Sequence, residues 1–289
     1  MEQDKMLIRP PEQAPPCQVR TGVSRRRFGK SALAASAGFL LIRDPFALGQ
    51  EPAPSSAPAK NVVLVHGAFA DGSSWSRVIP LLEAKGLNVI AVQNPLTSLA
   101  EDVATTRRIL AQQQGPTILV GHSYAGFVVT EAGNAPNVVG VVYISSYGSA
   151  DGESHDDLVK RFPPPSAISA IHLDDDGFLW IARNRFREAF AHDVDLPQAH
   201  LMAAVQKPVS KKNCFGAPVG TPAWKSKPSW FLVSTDDRLI NPELQRFVAK
   251  RMGATVFSVP SSHASLVSHP EEVTNVITEA AAHKGSSLA

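Results

Sequence analysis

From Asn61 onward the chain alternates short β-branched runs with stretches of helical spacing, and no other feature limits the possible folds as strongly. Asn61-Val-Val-Leu-Val-His66 is a continuous apolar run, as expected of a strand covered on both faces. The spacing then predicts a helix over Ser74–Lys85, closed by Gly86, and a strand over Leu87–Gln93. Ser98-Leu-Ala-Glu101 reads as a capping box opening a helix to about Gln114, with Val103, Thr106 and Leu110 on one face. A strand over Pro116–Gly121, a helix over Tyr124–Gly133 and a strand over Val138–Ser145 follow. After a long interruption come strand Trp230–Ser234, helix Pro242–Met252 with Asn241 as its cap, strand Thr255–Val259 and a last helix from Pro270. Repeated β-α-β units imply the α/β class: a mostly parallel sheet flanked by helices.

The interruption, about Gly148 to Trp224, is expected to be a small inserted cap over the strand ends. It holds Phe162-Pro163-Pro164-Pro165, the acidic turn Asp174-Asp175-Asp176-Gly177, and helical stretches near Leu179–Phe190 and Gln198–Val205. In an open parallel sheet the ligand pocket lies at the carboxyl ends of the strands, beneath such an insertion.

Of the 289 residues, 44% are hydrophobic and 19% charged, which excludes a disordered chain. There is no heptad, no Gly-X-Y period and no apolar run of about 18 residues, the length a membrane-spanning helix needs. The net charge of +2 is uneven. Residues 1–49 hold eight Lys/Arg against four acids, so the rest of the chain is at about −2 and offers no basic patch for nucleic acid. Within 1–49, Ser24-Arg25-Arg26-Arg27-Phe28-Gly29-Lys30 precedes the apolar run Ser31–Ile42 and the small-residue exit Ala47-Leu48-Gly49. The segment resembles a bacterial twin-arginine signal peptide. It implies the twin-arginine export machinery as a partner, a periplasmic or secreted location, and no membrane span after cleavage. Residues 50–60, rich in Pro, Ala and Ser, read as a linker to a domain over 61–289. Cys17 falls in the leader, which leaves Cys214 without an intramolecular disulfide partner.

Gly121-His122-Ser123-Tyr124-Ala125-Gly126 stands between a predicted strand and a predicted helix. That context defines a nucleophile elbow, a turn so tight that its neighbours must be small, here Gly121 and Ala125. A serine hydroxyl needs a base, and His263 sits in the loop after the last strand. The base needs a carboxylate to hold one tautomer; Asp237, after the penultimate strand, is preferred, with its neighbour Asp236 as the alternative. Two N–H donors must face the developing oxyanion. Tyr124 offers one at the start of a helix. Ala68 offers the other, in the loop His66-Gly67-Ala68-Phe69, where Gly67 permits a close turn.

His66-Gly67, the Gly-His-Ser-Tyr-Ala-Gly elbow, Asp237 and His263 together resemble the α/β-hydrolase superfamily over Asn61 to about Ala282. The likeness is greatest to its compact branch of plant methyl-ester esterases, hydroxynitrile lyases and bacterial carboxylesterases. The resemblance implies Ser123 as nucleophile, Asp237 and His263 as acid and base, Ala68 and Tyr124 as oxyanion donors, and no cofactor or metal. It implies a serine carboxylesterase acting on a small-molecule ester through an acyl-enzyme. Hydroxynitrile lyase, perhydrolase or haloperoxidase-like chemistry on the same residues is an alternative, although lyases of this branch carry Lys where this chain has Ala264. A ligand-binding receptor on a hydrolase scaffold is another.

Other polar residues have plainer readings. His122 is expected to point away from the substrate and His66 to shape its loop, while His269 reads as the cap of the last helix. His155, His172, His192 and His200 lack metal-ligand spacing. A calcium loop ending at Gly177 needs acids where His172 and Arg183 stand. Trp75, Trp180, Phe178 and Phe186 read as core rather than as an acyl pocket.

Overall fold

The structure, a computed structural model, describes residues 58–283. Residues 1–49, where an export signal is expected, and most of the expected linker over 50–60 lie outside the described residues.

The described chain runs β1 (Asn61–Val65), α1 (Ile79–Glu83), β2 (Asn88–Val92), α2 (Leu99–Leu110), β3 (Thr117–His122), α3 (Ala125–Ala132) and β4 (Val138–Ile144). The inserted region carries α4 (His155–Val159), β5 (Ile171–Leu173), β6 (Phe178–Ile181), α5 (Phe186–Phe190), α6 (Leu196–Val205) and β7 (Val209–Ser210). The chain then returns to the main sheet with β8 (Ser229–Ser234), α7 (Pro242–Arg251), β9 (Thr255–Val259), α8 (Ser265–Ser268) and α9 (Pro270–Ala282). Six strands pair in parallel in the order β2-β1-β3-β4-β8-β9. This is the α/β-hydrolase fold.

Burial explains which runs became which strands. Every residue of β1, β3 and β8 is buried, since helices cover both faces, and these are the near-continuous apolar runs. The edge strands β2 and β9 are half covered and read more mixed. Each fully buried Val or Leu of the inner strands stabilises the fold by ~1.5–3 kcal/mol relative to exposure.

The expected elements are present, with four differences. The helix expected over Ser74–Lys85 is a 3-10 turn, Gly72–Trp75, followed by the short α1, where Pro80 fits the first turn and Gly86 (φ 78°) ends it. At Ser98 the capping box is half formed. The hydroxyl accepts from Glu101 N, but the Glu101 carboxylate turns to the Thr97 hydroxyl. The helix expected near Leu179–Phe190 is a strand and then the one-turn α5; β6 lies between β5 and β7 in a small antiparallel sheet. Lastly, His269 occupies the cap position of α9, yet its side chain makes no capping hydrogen bond.

The acidic turn is the β5–β6 hairpin loop. Asp174 accepts from the amides of Asp176 and Phe178 and from the Trp180 indole, so its oxygens serve the turn itself.

Candidate active site

Ser123, Asp237, His263 and Ala68 all follow the carboxyl ends of parallel strands, namely β3, β8, β9 and β1. The sheet therefore delivers four loops to one rim. Ser123 Oγ lies 2.8 Å from His263 Nε2, and His263 Nδ1 lies 2.7 Å from Asp237 Oδ2. Side chains of His263 and Asp237 are 2% and 0% exposed, so the chain of hydrogen bonds is shielded from water.

Ser123 has φ 56°, a left-handed conformation that costs an L-residue roughly 1–2 kcal/mol. Neighbours hold it there. Its amide donates to Ile144 O at 3.1 Å, and its carbonyl accepts from Ser146 Oγ at 2.7 Å. The smallness of the elbow is demanded at Gly121 and Gly126 rather than at Ala125. A Cβ on Gly121 would lie 2.8 Å from the Val129 side chain, and one on Gly126 only 2.1 Å from Tyr147 O. Ala125 sits fully buried in the first turn of α3, so its methyl is accommodated.

Gly67 acts through space as well. It does not take the left-handed turn, which falls on Phe69 (φ 58°). A Cβ on Gly67 would stand 2.7 Å from Ser123 Cβ, so glycine is what lets the β1 loop close on the elbow. Among the described residues, the Ala68 and Tyr124 amides donate to no other main-chain group. Tyr124 precedes α3, where first-turn N–H groups have no helical acceptor.

Asp237 is saturated. Its Oδ1 accepts from Leu239 N at 2.8 Å and Ile240 N at 2.9 Å, and its Oδ2 accepts from Gln245 Nε2 at 2.8 Å besides His263. Asp236 is exposed; its amide donates to Ser261 O and its carbonyl accepts from His192, so the carboxylate beside His263 is Asp237. Gln245 was invisible to the motif reading. It is 0% exposed on α7, where Leu244, Val248 and Ala249 form the buried face; a glutamine on such a face is the signal that could have found it.

His122 does not line the cavity above Ser123; it donates from Nε2 to His263 O at 2.8 Å, fixing the loop that carries the imidazole. Complete burial, with the nearby His263, holds it well below the ordinary histidine range, so it is neutral. His66 is likewise structural. Its Nδ1 donates to Gly67 O at 2.8 Å and its Nε2 accepts from Asn94 N at 2.9 Å, with burial lowering its pKa to about 4. Tyr124 donates its phenol proton to Asp102 Oδ2 at 2.8 Å, and burial raises that carboxyl to about 6. A buried hydroxyl cluster ties the rim together. Ser145 Oγ is 2.6 Å from Ser234 Oγ and 3.0 Å from Ser265 Oγ, and Ser261 donates to Ser234 at 2.8 Å.

Above Ser123 opens a cavity of about 730 Å³, walled by Phe69, Phe162, Ile168, Phe215, Leu239 and Leu244 among others. The cap supplies much of this wall, including Pro163, Pro164 and Pro165. Trp75, Trp180, Phe178 and Phe186 take no part in it; Trp75 and Phe186 are fully buried core.

A parallel six-stranded sheet, a strained serine at its rim and an imidazole–carboxylate pair behind it agree with the family match: the chain belongs to the alpha/beta hydrolase family, whose model spans residues 62–276. It is similar to a pyrethroid hydrolase of Sphingobium wenxiniae, 28% identical over 250 residues, covering 76% of this chain and 86% of that protein. Among solved structures it resembles a pyrethroid hydrolase from Sphingobium faniae, with 26% identity, 77% and 97% coverage and a TM-score of 0.67. A polyneuridine aldehyde esterase shares the fold at 17% identity, covering 76% of this chain and 98% of that one, with a TM-score of 0.66.

Proposed function

We propose that this chain is a serine hydrolase that cleaves carboxylic esters of medium to large apolar molecules. The observation that carries the reading is the unbroken buried chain Asp237–His263–Ser123, with links of 2.7 and 2.8 Å, at the floor of an apolar cavity. Asp237 accepts from His263 Nδ1–H, which leaves Nε2 as the base. His263 takes the Ser123 proton as Oγ attacks the ester carbonyl. The Ala68 and Tyr124 amides receive the oxyanion, each such donor stabilising the transition state by ~2.7–4 kcal/mol. His263 then protonates the leaving alkoxide. Water enters by the same route and frees the acid.

The cavity volume lies in the usual range of small-molecule sites, roughly 300–1,000 Å³. Its apolar wall and the pyrethroid hydrolase relative both favour a bulky hydrophobic ester. The Arg25-Arg26-Arg27-Phe28-Gly29-Lys30 segment supports export by the twin-arginine route to the periplasm or beyond. Replacing Arg25 and Arg26 by Lys is expected to strand the protein in the cytoplasm on fractionation.

The test is labelling with a fluorophosphonate and mapping of the adduct, followed by a screen of chromogenic esters of graded size. The label is expected on Ser123. Ser123→Ala is expected to lose at least about a thousandfold in kcat/KM with little change in melting temperature. Undiminished hydrolysis by Ser123→Ala, or tight ester binding by the unaltered chain without product, overturns the reading.

A further inference from the structure

Among the polar residues that line the mostly apolar cavity, two are aromatic and paired with each other. Tyr147, in the loop after β4, and His155, the first residue of α4, both line it. His155 Nε2 stands 3.3 Å from the Tyr147 hydroxyl, and His155 Nδ1 stands 3.0 Å from Asp156 Oδ1. Neighbouring rings hold both in place. Phe127 stacks on Tyr147 with centroids 4.9 Å apart, and Phe215 lies 4.5 Å from the His155 ring. Ile168, Leu239, Ile240 and Leu244, which also line the cavity, offer only hydrocarbon side chains.

The direction of these hydrogen bonds follows from their ends. Asp156 reaches water with half its side chain exposed, and the His155 hydrogen bond holds its carboxyl below the usual carboxylate range. An ionised carboxylate only accepts, so His155 Nδ1 donates to it. With Nδ1 carrying the ring's one proton, Nε2 is the acceptor. Tyr147, whose phenol burial keeps protonated, spends its single proton there. What remains at the Tyr147 oxygen is lone-pair capacity.

We propose that Tyr147, oriented by His155 and Asp156, is a specificity subsite that accepts a hydrogen bond from a hydroxyl or N–H group on an otherwise apolar ester. The assignment deepens the hydrolase reading and rests on it for the word ester. In a mostly apolar cavity, a site built to pair with one polar group discriminates against the analogue that lacks it, because one partner is left unpaired.

The experiment measures binding apart from turnover. Calorimetry on Ser123→Ala protein compares benzyl butyrates carrying hydroxymethyl at the ortho, meta or para position with their ethyl counterparts. At one position or more the hydroxymethyl ester is expected to bind at least about fivefold more tightly. Adding Tyr147→Phe is expected to bring that ratio to one or below. Adding His155→Phe frees the phenol proton, and the preference is expected to pass to an acetyl-bearing ester, which only accepts. His155 is partly exposed and so gives a second variant should Tyr147→Phe fold poorly. No discrimination at any position, a preference that survives Tyr147→Phe, or an unchanged donor preference in His155→Phe each overturns the proposal. Hydrolysis of the same esters by the unaltered chain reports separately on the hydrolase reading: selective binding without turnover defeats that reading and leaves the subsite standing.

Discussion

Gln245 donates to the same oxygen of Asp237 that receives the His263 imidazole, at 2.8 Å against 2.7 Å. The amide also joins two further main-chain groups, accepting from Ser234 N at 3.1 Å and donating to Ile240 O at 3.2 Å. It therefore fixes where the carboxylate sits relative to β8 and the loop after it. In the proposed mechanism Gln245 is a positioning residue. Gln245→Leu removes one of four donors from Asp237 and strands Ser234 N–H. We expect kcat to fall about tenfold with KM within about twofold, and stability to fall by ~2–3 kcal/mol. Steady-state kinetics beside urea unfolding check both, and an unaltered kcat refutes the positioning role.

The two adjacent acids are separable by experiment. Asp237→Asn should lower kcat by about a thousandfold or more, because the amide favours the wrong imidazole tautomer. Asp236→Asn should stay within about twofold, since the Asp236 contacts to Ser261 and His192 are made by its main chain. Comparable losses in both variants would count against the assignment.

His66 gives a pH dependence of stability. Its folded pKa is about 4 against 6.5 in the unfolded chain, so the unfolded state binds more protons between those values. The stability it contributes is full above pH 6.5 and is lost as pH falls toward 4. From pH 7 to pH 5 the loss is about 2 kcal/mol from this group. His66→Gln, which cannot titrate, should shrink the difference in unfolding free energy between pH 7 and pH 5 by that amount. Equal pH slopes in the two proteins would show that His66 is not the group responsible.

At the elbow, Gly126→Ala places a methyl 2.1 Å from a main-chain oxygen of Tyr147 that cannot swing away. We expect a loss above about 3 kcal/mol or failure to fold, a case of overpacking at its most severe. Ala125→Gly, by contrast, should cost only ~0.5–1 kcal/mol, the price of glycine in a helix. Thermal melts of the two variants decide it, and a Gly126→Ala protein as stable as the original would show that the loop after β4 yields.

Much of this arrangement is legible in the sequence, for definite physical reasons. Strands buried on both faces must be continuous apolar runs, so β1, β3, β4 and β8 stand out. The meeting of Ser123, Asp237 and His263 is legible because each follows a recognisable strand run to the same rim of the sheet. The cap is not. Phe178–Ile181 is a short apolar run, and periodicity alone does not tell a four-residue strand from a helical turn. Gln245, Asp102 and the Tyr147–His155 pair escape because their partners are distant in the chain or buried in another element. Each is a polar residue among buried neighbours, a mismatch visible in hindsight on the faces of α2 and α7.

The hydroxyl and the imidazole that meets it are 140 residues apart, and the imidazole arrives on the loop of the last strand, at the edge of the sheet. A growing polypeptide thus carries Ser123 without its imidazole partner while the next 140 residues are added. In the proposed mechanism Ser123 gains its base only once the loop after β9 is in place, so the onset of turnover would timestamp the closure of the domain.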